Sequence, residues 1–506
     1  MIRVRIEGTG KTARAGGGDN LLTCLREAGL PVRADCGGAG TCGKCRVLVD
    51  GKPALACQTI LTREITVALP EMAGDEELSA GKNDLLTARQ VAAGAARGGS
   101  APDGFAAVSV GGEAPCFIAI DLGTTTIAVS LIDRARGSVL SSASFLNPQC
   151  AYGADVISRI NASLDDSSAL SALVRERLAG EMASMMQKTG VGRDGLGRIV
   201  VAGNTTMSYL LLGLPCRSLG FAPFKPAYPA GGYYEAGSLF GAEFSDVKCL
   251  VMPYLSAFVG GDITAGLLSA DHRDDYFIID MGTNGELASL TDGRLLCSST
   301  AAGPAFEGVN LSCGMGGTAG AVSRVWLDSG EIRFATIGGK TPVGICGSGV
   351  LDIIACLIRA GAMRANGKLD ESHPLVADKR VVIAGQVVFT QKDVREFQLA
   401  KSAIRSGIEI LLAETGGVVP NCVLLAGGFG QHLDPESAFV TGLLPALLRG
   451  RVTAAGNTSL AGAIRVGFDP SLLERADDYR KISREINLAT HPNFSDMFMN
   501  FMRFEG

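Results

Sequence analysis

CFIAIDLGTTTIAVSLID, residues 116–133, is two apolar runs joined by a Gly-Thr-Thr corner. Branched and aromatic residues bounded by a glycine turn predict a strand, a tight reversal and a returning strand. The same device recurs at residues 276–292 as YFIIDMGTNGELASLTD. Laying Asp121–Asp133 on Asp280–Asp292 matches Asp, Gly, Thr, Ser, Leu and the final Asp without a gap. Two such units about 160 residues apart predict two related lobes.

The corner has a chemistry. Gly123 and Gly282 let backbone approach a phosphate, and the Thr124, Thr125, Thr126, Thr283 and Asn284 positions offer hydroxyls, an amide side chain and backbone N–H groups to its oxygens. Asp121 and Asp280, each at a strand end, are placed to hold hydrated Mg²⁺. Two further glycine turns follow in order. GICGSGVLD (344–352) reads as a turn opening a helix, with Gly347 and Ser348 as further nucleotide-binding candidates. VLLAGGFGQ (423–431) is an apolar strand running into Gly427, Gly428 and Gly430, where a purine and ribose can lie on bare backbone. One glycine turn is weak evidence; four in this order are strong.

Upstream, CGGAGTCGKC (36–45) comes within one residue of a P-loop. That reading fails on context: Cys45 replaces the Ser or Thr that would reach magnesium. RVLVDGKPALAC instead predicts two short strands around an Asp50-Gly51 turn, with no helix to face phosphates. Cys36, Cys42, Cys45 and Cys57 supply four thiolates, enough for a [2Fe–2S] cluster. Zinc also takes four thiolates but favours two paired C-x-x-C knuckles, and only Cys42 and Cys45 have that spacing. Gly37, Gly38, Gly40 and Gly43 let the loop curl and aim N–H groups at cluster sulfurs. MIRVRIEG as a strand, Asn20–Gly29 as a helix and EITVALP as a closing strand predict a small β-grasp domain, residues 1–72. Residues 73–115, rich in Ala, Gly, Ser and Asp, read as a flexible linker with one short helix near Asp84–Ala96. Residues 116–506 then form the two-lobed domain. The fold class is α/β with a small α+β N-terminal domain.

Composition bounds the rest. A chain with 47% hydrophobic and 19% charged residues is globular, and at this length it divides into several domains. A formal charge of -5 argues against nucleic acid. The start MIRVRIEGTGK has no apolar core of a signal peptide, and no apolar run reaches membrane-span length, so a cytoplasmic location is expected. Ten of the fourteen cysteines lie singly in apolar or glycine-rich settings, as small buried hydrophobes do. His272, His373, His432 and His491 show no paired spacing, which argues against a histidine metal site or base.

The ordered set of turns resembles the actin, Hsp70 and sugar-kinase ATPase superfamily. With a ferredoxin in front, the chain closely resembles the reductive activators of corrinoid-dependent enzymes. NPQCAYGADVISRI, VAGNTTMSYLLLGLP, PYLSAFVGGDITAGLL, AGPAFEGVNLSCGM, LAKSAIRSGIEILL and HPNFSDMFMNFMRF are similar to that family and cover nearly the whole chain. The resemblance implies a β-grasp ferredoxin joined to an actin-like, ribonuclease H-like ATPase. It also implies a [2Fe–2S] cluster, ATP and Mg²⁺, and one-electron reduction of a corrinoid protein from inactive Co(II) to Co(I). Partners would be that corrinoid protein of a methyltransferase system and an electron donor. Some relatives carry an extra dimerisation domain, for which the segment before residue 116 is too short, leaving monomer and homodimer both open. For orienting the attacking water, Asp262 in VGGDITAG and Glu307 in AGPAFEG are candidates, with helix capping the competing role. Cys313 and Cys346 resemble the cluster loops of 2-hydroxyacyl-CoA dehydratase activators, but the chain already has an electron carrier. An activator of such a dehydratase, and a redox-sensing nucleotide-binding regulator, are the rival functions.

Overall fold

In a computed structural model of the chain, residues 1–8, 11–28, 30, 32, 34, 38, 40, 45–69, 114–165, 167–229, 231–270, 275–282 and 284–504 are described. Cys36, Cys42, Thr283 and the linker up to residue 113, with its expected helix at 84–96, lie outside them.

Alternation builds the first domain. In β1 (Ile2–Ile6) Val4 and Ile6 point inward while Arg3 and Arg5 point out. β2 (Thr12–Ala15), β3 (Arg46–Val49), β4 (Lys52–Leu55) and β5 (Ile65–Ala68) complete a sheet of order β2-β1-β5-β3-β4. β1 and β5 run parallel and the other pairs antiparallel, as a β-grasp requires. Both Asp50 (φ 48°) and Gly51 (φ 78°) are left-handed, so the β3–β4 turn is of the primed kind that matches strand twist. The helix Leu21–Glu27 starts at Asn20, whose side chain accepts the Leu22 N–H at 3.0 Å. It buries Leu21, Leu22 and Leu25 against Val4, Val47 and Val67. β2 was not foreseen: TARA is too short and too small to announce a strand, and pairing with β1 makes it one.

Each lobe is built on its hairpin. In the first, β6 (Cys116–Leu122), β7 (Thr126–Asp133) and β8 (Ser138–Leu146) form a meander. β9 (Leu196–Gly203), β11 (Lys248–Val251) and β10 (Gly232–Glu235) extend it on the β6 side, β9 and β11 running parallel to β6. In the second, β12 (Tyr276–Met281), β13 (Gly285–Thr291) and β14 (Arg294–Thr300) form the meander. Cys422–Ala426 and Val452–Gly456 add in parallel beside β12, and Ser483–Glu485 caps the far edge. The two sheets share one plan, so the sequence repeat is a structural repeat.

The described residues fall into two compact units: the first domain with most of the first six-stranded sheet, and Arg134–Val139 with the chain from Met252 onward. The second packs the helices Gly347–Arg359 and Gln391–Glu414 on its sheet, with Ile279, Leu287, Leu351, Ile404 and Leu425 in the core. The C-terminal helix Phe494–Phe501 is tied to the long helix Gln391–Glu414 by buried polar side chains. Lys401 Nζ donates to Arg503 O at 2.7 Å, and Gln398 and Ser402 donate to Met502 O and Phe498 O. These bonds satisfy carbonyls that a helix end leaves without partners.

Candidate functional site

Of the four cysteines expected to bind a cluster, Cys45 and Cys57 lie among the described residues. Cys45 sits at the head of β3 and is buried, while Cys57 lies in the one-turn helix Ala56–Gln58 after β4. Their sulfurs converge to 3.1 Å and both are free thiols. The Cys57 N–H points at Cys45 Sγ, 3.5 Å away, and Asn20 Nδ2 holds the Cys57 carbonyl at 2.7 Å. Two converging thiols with an amide aimed at sulfur are a fitting donor set for an iron–sulfur cluster, whose potential such hydrogen bonds tune.

In the first lobe the phosphate turn is a closed hairpin. Gly123 N–H donates to Thr126 O at 3.1 Å, and a Cβ at Gly123 would lie 2.4 Å from that oxygen. Asp121, next to last in β6, is its half-buried member among buried neighbours. Two asparagines brace the turn. Asn147 donates its side-chain amide to Gly123 O at 2.8 Å and its backbone N–H to Thr125 O at 2.8 Å. Asn204 donates to Thr124 Oγ1 at 2.9 Å while capping the helix Thr205–Leu212 through the Met207 N–H. Both were legible only as members of NPQCAYG and VAGNTTMS; nothing in their spacing tied them to Gly123.

In the second lobe Gly282 N–H donates to Asn284 O at 3.0 Å, so this turn closes one residue sooner than its counterpart. The pairing shifts accordingly. Leu122 pairs with Ile127, but Met281 pairs with Gly285, and Asp280 therefore faces Glu286 where Asp121 faces Ala128. Directly opposed residues share a face with their Cβ atoms about 5 Å apart. Glu286 is the residue the linear reading missed. It is buried; that burial, followed by the charges of Asp262 and then Asp280, raises its carboxyl well above the usual range, against a hydrogen bond from Asn284. Three carboxyl groups thus converge in this lobe. Asp262 lies in the first turn of the helix Gly261–Ser269 and accepts the Ile263 N–H at 2.8 Å.

Glu307 ends the short helix Pro304–Glu307, and a Cβ at Gly282 would come to 4.0 Å from its Oε1. Gly347 makes that placement: its Cβ would fall 1.9 Å from Phe306 O, so only glycine lets the helix Gly347–Arg359 approach. Ser348 is buried and donates to Ser323 O at 2.9 Å. Phe306 stacks on Phe429 at 4.3 Å, joining this segment to the third glycine turn. There Gly427 has φ 81° and would set a Cβ 2.6 Å from Asp280 Oδ1. Gly428 faces open space, and Gly430 is buried in the helix Gly427–His432. Asp262, Asp280, Glu286, Glu307 and Gly427 are thereby linked in one lobe. The sulfurs of Cys313 and Cys346 have separate partners: Cys313 Sγ accepts the Val388 N–H at 3.5 Å and Cys346 Sγ meets Ser348 Oγ at 3.4 Å.

Paired meander lobes, each with a glycine turn beside an aspartate, joined to a β-grasp domain with converging thiols, define a class: an iron–sulfur protein with a two-lobed, actin-type ATPase. The comparisons agree and go further. Residues 4–64 match the 2Fe-2S iron-sulfur cluster binding domain, 116–274 the RACo middle region, and 274–506 the C-terminal domain of RACo, the ASKHA domain. The chain is 36% identical over 421 residues to the corrinoid activation enzyme RamQ of Eubacterium limosum, covering 76% of this chain and 70% of that one. It is 26% identical over 425 residues to the [Co(II) methylated amine-specific corrinoid protein] reductase of Methanosarcina barkeri, covering 76% of each. A solved reductive activator for corrinoid, iron-sulfur protein superposes with TM-score 0.69 at 26% identity, over 100% of this chain and 98% of that one. The chain belongs to the RACo family. It carries a [2Fe–2S]-binding domain and an ASKHA ATPase domain that takes ATP with Mg²⁺. Among the described residues no helix is long and apolar enough to cross a membrane.

Proposed function

We propose that this protein is an ATP-dependent reductive activator that returns the inactive Co(II) form of a methyltransferase system's corrinoid protein to Co(I). The observation that carries this is the joining of a one-electron domain to an ATPase in a chain of the RACo family, whose relatives are named for acting on corrinoid proteins. Cys36, Cys42, Cys45 and Cys57 are the ligands of the [2Fe–2S] cluster, which supplies one-electron chemistry at low potential. Co(I) lies below common donors, and each 100 mV uphill costs about 2.3 kcal/mol per electron. ATP hydrolysis meets that cost by changing the protein's conformation, not by reducing anything.

In each lobe the residues divide the work. Gly123 and Gly282 let the backbone approach phosphate, while Thr124, Thr125 and Thr126, in a turn braced by Asn147 and Asn204, present hydrogen-bond donors to it, as do Thr283 and Asn284. Asp121 and Asp280 hold Mg²⁺, and Gly427, Gly428 and Gly430 take the adenosine. Glu307, facing Gly282, orients the attacking water; Asp262 and Glu286 fix the charge around Asp280. Gly347 and Ser348 act by position, setting Phe306 and hence Glu307.

The test is anaerobic. Purified protein, a Co(II) corrinoid protein and a low-potential reductant are mixed with and without Mg-ATP, and Co(I) absorbance is followed. Formation of Co(I) only with ATP, lost in Cys42→Ser, is the expected result. No Co(I) across a panel of corrinoid proteins, with cluster and nucleotide bound, would refute the proposal and turn the search to another low-potential client.

A further inference from the structure

The outward face of the five-stranded sheet carries charge that the proposed turnover does not use. Alternation puts Arg3 and Arg5 of β1, Arg14 of β2 and Arg46 of β3 on it, all exposed. Arg3 is the direct cross-strand partner of Arg14. Like charges in that relation destabilise a ladder, so folding does not account for them. Glu64 pairs with Arg3 at 2.8 Å, whereas Arg5, Arg14 and Arg46 have no carboxylate within ion-pair distance among the described residues. At the β3–β4 edge of the same face lie Leu48, 43% exposed and two residues along β3 from Arg46, and its register partner Pro53. An apolar spot beside a row of arginines has the make-up of a protein interface, where arginine and apolar groups are enriched together.

Charge is segregated along the chain as well. Residues 1–70 hold ten Lys and Arg against six Asp and Glu, a net of +4, in a chain whose total is -5. The opposite side of this sheet is covered by the helix Leu21–Glu27, whose Arg26 lies over the Tyr152 ring at 5.1 Å. The arginine face is therefore the one this domain turns to solvent. It is also next to the redox centre: Cys45 points inward to its sulfur partner and the following residue, Arg46, points out.

We infer that this face is the landing surface for the electron donor, a small acidic redox protein of low potential. The inference rests on the reading of the chain as a reductive activator. One electron passes from the donor, which is oxidised, to the first domain, which is reduced; no bond forms or breaks. Electron-transfer encounters are brief and small, and complementary charge speeds them by roughly 10- to 1,000-fold at low salt. The corrinoid protein is the ATP-coupled client and must sense the lobes; the donor needs only this domain.

The probe is a pre-reduced acidic bacterial ferredoxin, mixed in a stopped-flow instrument with the full-length, cluster-loaded protein. Binding of the two oxidised proteins is measured in parallel by calorimetry. Parent protein is compared with the combined Arg5→Glu, Arg14→Glu, Arg46→Glu variant, and with a charge-matched control, Lys188→Glu, Lys225→Glu, Lys379→Glu, on the ATPase domain. Expected are measurable binding and a rate that falls steeply with salt in the parent and control. The arginine variant should lose binding and react about tenfold or more slower, with a flat salt response. Its visible spectrum and its reduction by dithionite should be unchanged, which shows the domain folded and loaded. A parental rate in the arginine variant, or equal slowing in the control, overturns the inference. So does a variant that accepts electrons normally yet fails to pass them to Co(II), since the face would then belong to the client. Absence of Co(I) from every protein, with the donor pattern intact, would refute the corrinoid reading and leave the donor face standing.

Discussion

Alanine at Gly427 puts a methyl where the second lobe has no room for one. The residue is left-handed at φ 81°, and the new Cβ would lie 2.6 Å from Asp280 Oδ1 and 2.8 Å from Met281 O. A left-handed L-residue costs about 1–2 kcal/mol, and forcing a methyl into a filled space about 1–3 kcal/mol more. The sum, about 2–5 kcal/mol, lowers the melting temperature of a domain this size by at least about 4 °C. The displaced atom is the carboxylate assigned to Mg²⁺, so nucleotide affinity should fall with stability. Gly428 is the internal control: its φ is not left-handed and nothing lies within 4 Å of its Cβ. Gly428→Ala should melt within about 1–2 °C of the parent, a change of under about 0.5 kcal/mol. If the base of ATP rests on this backbone, it should still raise the nucleotide KM. Thermal melts with and without Mg-ATP, together with ATP titrations, read both effects. Parental melting and parental ATP affinity in Gly427→Ala would refute the account of the turn.

Asn147→Ala leaves the Gly123 carbonyl and the Gln149 N–H without their side-chain partner, which should cost about 1–3 kcal/mol and raise the ATP KM; unchanged melting and kinetics would count against the brace. Glu286→Gln should lessen the loss of stability of the nucleotide-free protein as pH rises above the ordinary glutamate range, since burial and two neighbouring acids oppose ionisation of the carboxyl in the native state, whereas Asp280→Asn should cut ATP turnover about 100-fold in a steady-state assay. Cys57→Ser should abolish the visible absorbance of the cluster while ATP still shifts the melting curve, because the thiol belongs to the first domain alone. Burial pushes the Cys249 thiol up to about 12 from an ordinary 9, so between those pH values the unfolded chain releases a proton that the native one keeps. Stability should therefore fall as pH rises above 9, and less steeply in Cys249→Ala; parallel pH–melting curves would refute the assignment.

The architecture was legible because its signals are local. A Gly-Thr corner between two apolar runs, twice, can make little else than a hairpin, and four clustered cysteines among glycines point to a cluster by number and spacing. The strand β2 was hidden because four small residues have no pattern until β1 supplies hydrogen bonds. The contacts of Gly347 and Ser348 were hidden for a similar reason. As letters they form one more glycine turn, but in the fold the first is a contact point for Phe306 O and the second is committed to Ser323 O.

What the linear chain determined alone was the order of parts: a cluster-binding domain, then a duplicated strand–turn–strand unit with an aspartate at each strand end. Local backbone preference and side-chain type suffice for that. Tertiary structure decided which residues meet at the turns. Asn147 and Asn204 reach Gly123 and Thr124 only because separate elements converge there. Glu286 reaches Asp280 because the second turn closes one residue early; register in a ladder has period two, so a one-residue change alters every partner. The ungapped match of Asp121–Asp133 with Asp280–Asp292 conceals that shift, since hydrogen bonds across a hairpin, not letters along it, set who faces whom.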